Sequence, residues 1–251
     1  NPFWGLSDGR FNWEGNPFLE PELTDSYELG YLKEFKSGNI YIGTYYRHTE
    51  DEIERIFDVN DAGYSVFKPI NLGYTNAYGI EINGSIEFTK KFRTTGSFNF
   101  FNSETEGDYK NQNFYSRSYS WRTRLSNNIK MFDDKLEGQV TFDYRGPSDS
   151  PQGKNLSSYG IDLSLSRDIF KSKRGTISLT VRDLTKSRLR RYERGGKAGD
   201  NYFTTGEFAW RRTQEFRLSL QYRINQNKRR GGQRGNYDPS EFQGGSGIFG
   251  N

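Results

Sequence analysis

The chain has no cysteine, one histidine and one methionine in 251 residues. Without thiols it has neither a disulfide framework nor a cysteine metal site. One histidine makes a multi-histidine metal site impossible. No stretch approaches the roughly 18 apolar residues of a membrane-crossing helix, and mean hydropathy is −0.95. Neither charge sign dominates: 36 Lys and Arg against 32 Asp and Glu leave +4, too little for a strong pull toward nucleic acid. The chain does not begin with Met and has no apolar signal segment. The expectation is an exported protein that has been processed or cut.

Aromatic residues are abundant at 16%, chiefly 17 Tyr and 20 Phe, and there are 28 Gly. Low hydropathy does not exclude a transmembrane β-barrel, because only every second strand residue meets lipid. The apolar residues do alternate. Tyr78, Ile80, Ile82, Ile86 and Phe88 share one face with Gly84, opposite Gly79, Glu81, Asn83, Ser85 and Glu87. A strand separates these two sets and a helix would mix them. Leu136, Val140, Phe142 and Tyr144 repeat the pattern, as do Tyr159, Ile161, Leu163 and Leu165, and Phe216, Leu218, Leu220, Tyr222 and Ile224. Trp121, Leu125 and Ile129, then Phe92, Phe98 and Phe100, then Ile177, Leu179 and Val181, add further strands. Two less regular ones lie near Tyr27 to Phe35 and Ile40 to Tyr46.

Several of these segments fit the roughly 9–11 residues of a tilted membrane strand. Short turns at Lys36 to Asn39, Lys90 to Phe92, Asp133 to Lys135 and Lys171 to Arg174 alternate with long polar loops. The loops are Asp51 to Leu72, Glu104 to Tyr115, Gly146 to Asn155 and Lys186 to Thr205. Outer-membrane barrels show this alternation, with the turns periplasmic. Aromatics gather at the strand ends, as interfacial girdles require. Gly206 to Ile224 reads as one strand because Phe208, Trp210, Phe216 and Leu218 keep one parity. The count is then about nine, and an odd count means that the chain starts partway round a barrel. Residues 1–224 form the barrel portion, and Asn225 to Asn251, rich in Gly and Arg, is expected to be a disordered periplasmic tail.

Asn16-Pro17-Phe18-Leu19-Glu20-Pro21-Glu22, running into Ser26-Tyr27-Glu28-Leu29-Gly30-Tyr31, resembles a segment of TonB-dependent receptor barrels, in particular the outer-membrane β-barrel family common in Bacteroidetes. Asn76 to Glu81 is similar to a strand start of that family, Phe216 to Ile224 to its closing strand, and Asn1-Pro2-Phe3 to a loop just upstream. The resemblance implies an all-β, antiparallel transmembrane barrel of about 22 strands, of which this is the C-terminal portion, closed by an N-terminal plug. It implies TonB-energised ligand uptake across the bacterial outer membrane. The partners implied are lipid and lipopolysaccharide, the plug and remaining strands (both absent from this chain), TonB and a surface lipoprotein, with no nucleic acid. The alternatives are a same-family barrel serving an envelope complex without transport, and a soluble β-sandwich binding module.

No residue is assigned to catalysis, a cofactor or a metal, and no enzyme is expected. His48 would suit a hydrolase only beside a serine nucleophile that nothing marks, so it reads as a rim histidine. Asp58, Asn60, Asp61 and Gly63 sketch a calcium loop with the wrong spacing, and with Asp51, Glu52 and Glu54 they read as an acidic loop. Lys186, Arg188, Arg190, Arg191 and Arg194 form a basic run that reads as solvated, with lipopolysaccharide phosphate as the alternative. Arg229-Arg230-Gly231-Gly232 and Arg234-Gly235 are too short to argue for RNA binding. Glu81, Glu87, Arg122, Arg124, Asp143, Arg145, Asp162, Arg217 and Arg223 are expected to face a wet or plugged interior, with no ligand assigned.

Overall fold

In the computed structural model the chain is built of strands, and no helix occurs among the described residues. The structure describes residues 11–59, 65–170, 174–198, 201–211 and 214–224. The expected tail at 225–251, with its Arg/Gly motifs, lies outside them, as do Asn60, Asp61 and Gly63.

Nine strands form one antiparallel sheet: β2 (Leu23–Phe35), β3 (Gly38–Glu50), β6 (Tyr74–Thr89), β7 (Phe92–Tyr109), β8 (Gln112–Met131), β9 (Leu136–Arg145), β12 (Ser158–Ile169), β13 (Gly175–Arg182) and β16 (Glu215–Tyr222), neighbours in that order. The seven other strands form two smaller sheets. β1 (Phe11–Trp13), β5 (Ser65–Asn71) and β4 (Ile53–Val59) make one; β10 (Ser148–Ser150), β11 (Gly153–Asn155), β14 (Leu189–Ala198) and β15 (Asn201–Arg211) make the other.

Cross-strand register keeps the same parity from one edge of the large sheet to the other. One row runs Tyr31, Ile42, Ile82, Phe98, Thr123, Tyr144, Tyr159. The residues one position along occupy the opposite face: Gly43, Glu81, Asn99, Arg122, Arg145 and Ser158 stand in register. Another row joins Phe35 and Gly38, at the turn end of β2 and β3, to Val181 and Phe216, at the far end of β13 and β16. The hydrogen-bonded rows therefore run obliquely from one rim to the other, which is the shear of a barrel wall.

A soluble sandwich would bury the apolar face in a dry centre. Here Ile80 is 46% exposed, Leu220 71% and Leu218 72%, with Leu29, Phe100 and Leu125 also bare. The sandwich alternative therefore fails. The buried apolar side chains are few, and Ile56, Ile70, Leu72 and Phe114 cluster together outside the band.

Two expectations are corrected. Gly206 to Ile224 is not one strand: β15 ends at Arg211 in a small sheet, while β16 begins at Glu215 in the large one. Alternation marks any two-faced sheet, so shared parity did not mean shared sheet. Glu104 to Tyr115 is not a loop: β7 and β8 continue through it to a two-residue turn at Lys110 (φ 48°) and Asn111 (φ 62°), the left-handed pair that a tight hairpin needs. The other long connections hold β4–β5, β10–β11 and β14–β15. The short turn at Phe132, Asp133 and Asp134 also takes positive φ, of 53°, 54° and 62°.

Candidate functional site: the inner face of the sheet

The polar face is a wall of hydrogen-bonded and charged groups. At its β2–β6 end, glycines let aromatic rings lie flat on the backbone. A Cβ on Gly43 would stand 2.7 Å from the Tyr41 hydroxyl, and one on Gly79 2.6 Å from that of Tyr45. Tyr45 donates to Asn99 Oδ1 at 3.2 Å. The Arg47 guanidinium lies 4.6 Å from the Tyr45 ring centre, and it donates to Glu28 at 2.7 Å.

Further along, Arg122 stands 5.6 Å over the Phe101 ring and opposite Arg145. Asp143 and Asp162 are both claimed by Arg188, which arrives from the segment after β13. Gly160 leaves room for that guanidinium, since a Cβ there would meet Arg188 Nε at 2.5 Å. Asp183, 3% exposed, holds the segment in shape. Its Oδ1 accepts from the Ser187 and Arg188 backbone N–H groups at 2.9 and 3.1 Å, and its own N–H donates to Asp162 at 2.8 Å.

Past the apolar band the connections interlock on the inner side. Ser118 Oγ, on β8, accepts from the Asp149 N–H at 2.8 Å. Gln152 accepts from the Phe57 N–H at 2.6 Å and donates to Phe57 O at 2.9 Å. Lys68 and Lys110 both reach Asp58, at 3.7 and 2.7 Å. Glu52 sits beneath this cap, where burial pushes its carboxyl above the ordinary value; a Thr75 hydroxyl bond opposes the shift and the nearby Glu22 charge adds to it. Glu52 Oε2 is shielded and without a hydrogen-bond partner.

Glu81, Glu87, Arg122, Arg124, Asp143, Arg145, Asp162 and Arg217 keep the inner-face parity expected of them, and Arg223 follows β16 just beyond its last paired residue. His48 is on the other face, in register with Asn76. Its Nδ1 is 2.7 Å from Asn76 Oδ1, its Nε2 3.7 Å from Glu50, and its ring meets Tyr74. No serine hydroxyl is among those contacts. Within the basic run Arg188 turns inward to two aspartates, which corrects the solvated reading for that residue and removes it from any phosphate-facing set. The Asp183 staple and the Gln152 bridge escaped sequence reasoning. Their partners lie up to 95 residues away, and only Asp183's position next to a strand end hinted at a capping role.

Residues 1–222 match the model of the Outer membrane protein beta-barrel family. The chain is 24% identical over 169 residues to the iron-regulated outer membrane virulence protein of Vibrio cholerae serotype O1, in both the Classical Ogawa 395 and the El Tor Inaba N16961 strains. That alignment covers 61% of this chain and 24% of those proteins, so the chain spans about a quarter of the length of the curated relatives it matches. The solved structure of the copper transporter OprC resembles it in fold, with a TM-score of 0.57 and 13% identity, over 85% of this chain and 34% of that one. A sheet with a bare apolar face, a charged inner face and oblique rows is what this match predicts, and the chain belongs to the Outer membrane protein beta-barrel family, proteins of the bacterial outer membrane.

Proposed function

We propose that these nine strands are part of the wall of a TonB-dependent receptor that imports a ligand across the outer membrane. The observation that carries the reading is the hydrogen-bonded, mixed-charge inner face behind a largely apolar outer one. Such a face suits a wet or plugged lumen. The names of the relatives put iron and copper first among the ligands to try.

The wall needs strands beyond these nine. In hydrocarbon every backbone N–H and C=O must be paired, yet β2 and β16 each have one neighbour in the sheet. Nine antiparallel strands leave β2 and β16 parallel to each other, so joining them would break the antiparallel pattern. An odd number of further strands closes the circuit, and the resemblance to 22-stranded barrels supplies one. The plug, TonB and a surface lipoprotein are the partners that this reading adds.

The test is uptake of labelled iron and copper complexes by cells with and without the gene, in the presence and absence of an uncoupler. The reading expects uptake of one ligand to fall at least tenfold on deletion and equally on uncoupling. Uptake that survives deletion for every ligand tried would overturn it in favour of a structural barrel.

A further inference from the structure

The geometry points to an oxyanion-binding site on the inner wall, formed by Arg122, Arg145 and Arg124 and taking a carboxylate- or phosphate-bearing group. Arg122 and Arg145 stand directly opposite across β8 and β9, and Arg124 is two residues along on the same face. Like charges directly opposite on a sheet repel, so the arrangement costs stability unless something negative lies between them. Nearby guanidiniums on this face are matched: Arg47 has Glu28, Arg188 has Asp143 and Asp162, and Arg182 and Arg217 share Glu215. Arg124 is in register with Asp143, but that carboxylate belongs to Arg188. Arg122, Arg124 and Arg145 have no carboxylate partner among the described residues.

A second observation comes from Arg122 itself. Its Nε is shielded and bonds to no acceptor, while the Phe101 ring supports one face of the guanidinium. A shielded, unpaired guanidinium donor is costly to leave unmade. The planar fork gives two parallel donors that match a carboxylate or a phosphate. Arg145 is exposed and presents its charge to whatever enters. The chemistry is the same whether the oxyanion is carried by a diffusible solute or by another stretch of polypeptide inside the lumen. The inference rests on this face being lumenal but not on uptake, because a barrel that imports nothing would still hold the anion.

The test uses the whole receptor, purified in detergent, and modification of arginine by phenylglyoxal read by mass spectrometry. Arg93, an exposed inner-face arginine across from Glu87, is the internal standard. Citrate and inorganic phosphate at 10 mM are the probes. Slowing of Arg145 modification by fivefold or more on adding either anion, with Arg93 unchanged, supports a diffusible source. Protection already present before addition, and released by Arg122→Gln, supports a polypeptide carboxylate. Arg122→Lys, which keeps the charge but loses the fork, keeps only part of the protection in either case, and an unchanged Arg93 rate shows that each variant is folded. Modification of Arg145 as fast as Arg93 under all conditions, or protection indifferent to Arg122→Gln, overturns the site. Uptake is measured separately, so loss of transport with protection intact counts against the receptor reading alone.

Discussion

Ile82→Arg tests the two-faced reading at its centre. Ile82 stands in register with Ile42 on one side and Phe98 on the other. The band on β6 runs from Tyr78, in the aromatic row, to Phe88, stacked on Phe92 at the turn end. The ten steps between them make ~33 Å of strand at ~3.3 Å each. Tilted by about 40°, the strand climbs ~25 Å, which matches the apolar band of an outer-membrane barrel. The midpoint falls at Asn83, so Ile82 is one residue from mid-depth on the lipid face.

Arginine at the midplane of a barrel's lipid face costs about 2–4 kcal/mol, falling to about 0–1 near the interfaces. Ile82→Arg is therefore expected to cost ~3 kcal/mol, against under ~1 kcal/mol for Tyr74→Arg at the outer end of the same strand. Asn83→Arg, the adjacent residue facing the lumen, is expected to be close to neutral. Reversible urea unfolding of the whole protein in lipid vesicles, followed by tryptophan fluorescence, gives all three values. Equal costs at positions 82 and 83, or a free Ile82→Arg, would refute the lipid-and-lumen assignment of the two faces.

Three further outcomes follow from the inner face and the cap. Gly79→Val places methyls against the Tyr45 hydroxyl and Phe100 O, whose distances from a Cβ are 2.6 and 2.7 Å; it should cost about 1–3 kcal/mol in the same unfolding assay, whereas Gly84→Ala, with 3.1 Å to its nearest atom, should cost less. Gln152→Ala removes both bonds to the Phe57 backbone and should weaken the cap by about 1–3 kcal/mol, seen as faster hydrogen exchange in β4 with β6–β8 unchanged. Glu52 has a raised folded value, so the stability its protonated form contributes is complete below its ordinary 4.5 and is lost as pH rises through the raised value. Glu52→Gln should therefore slow proteolysis of the cap at pH 8 and change little at pH 4, and equal rates for both proteins at pH 8 would count against the assignment.

The band was legible in the sequence because lipid imposes the same demand on every strand. Tyr78 to Phe88 alternates with no polar residue on the outer side of that strand, because hydrocarbon penalises one there. The cap was not legible. Ile56, Ile70 and Leu72 come from short segments and meet Phe114 from a hairpin tip, and no period links residues that far apart. Pro69 cannot donate to a ladder, which in general disfavours a central strand. In β5 it escapes that rule: β1 pairs only with Ser65, Val66 and Phe67, so the side of Pro69 away from β4 carries no strand. Asn16 donates to its carbonyl instead, at 3.2 Å. The inner face was legible as a set of positions but not as a set of partners. Parity placed Asp143 and Asp162, while the cation that claims them is a loop residue 45 and 26 positions away.

That difference says where change is tolerated in this wall. On the outer face any apolar side chain of fitting size meets the same lipid, so substitutions between Ile, Leu, Phe and Val there conserve what the environment asks for. On the inner face the paired groups are held by particular neighbours: Tyr45 needs Asn99 and the bare Gly79, and Arg188 needs two aspartates and the bare Gly160. A change at one member leaves a buried donor or charge unmatched, which costs more than the bond it made. Specificity for whatever the lumen holds is therefore concentrated in the polar residues that alternate with the lipid-facing ones.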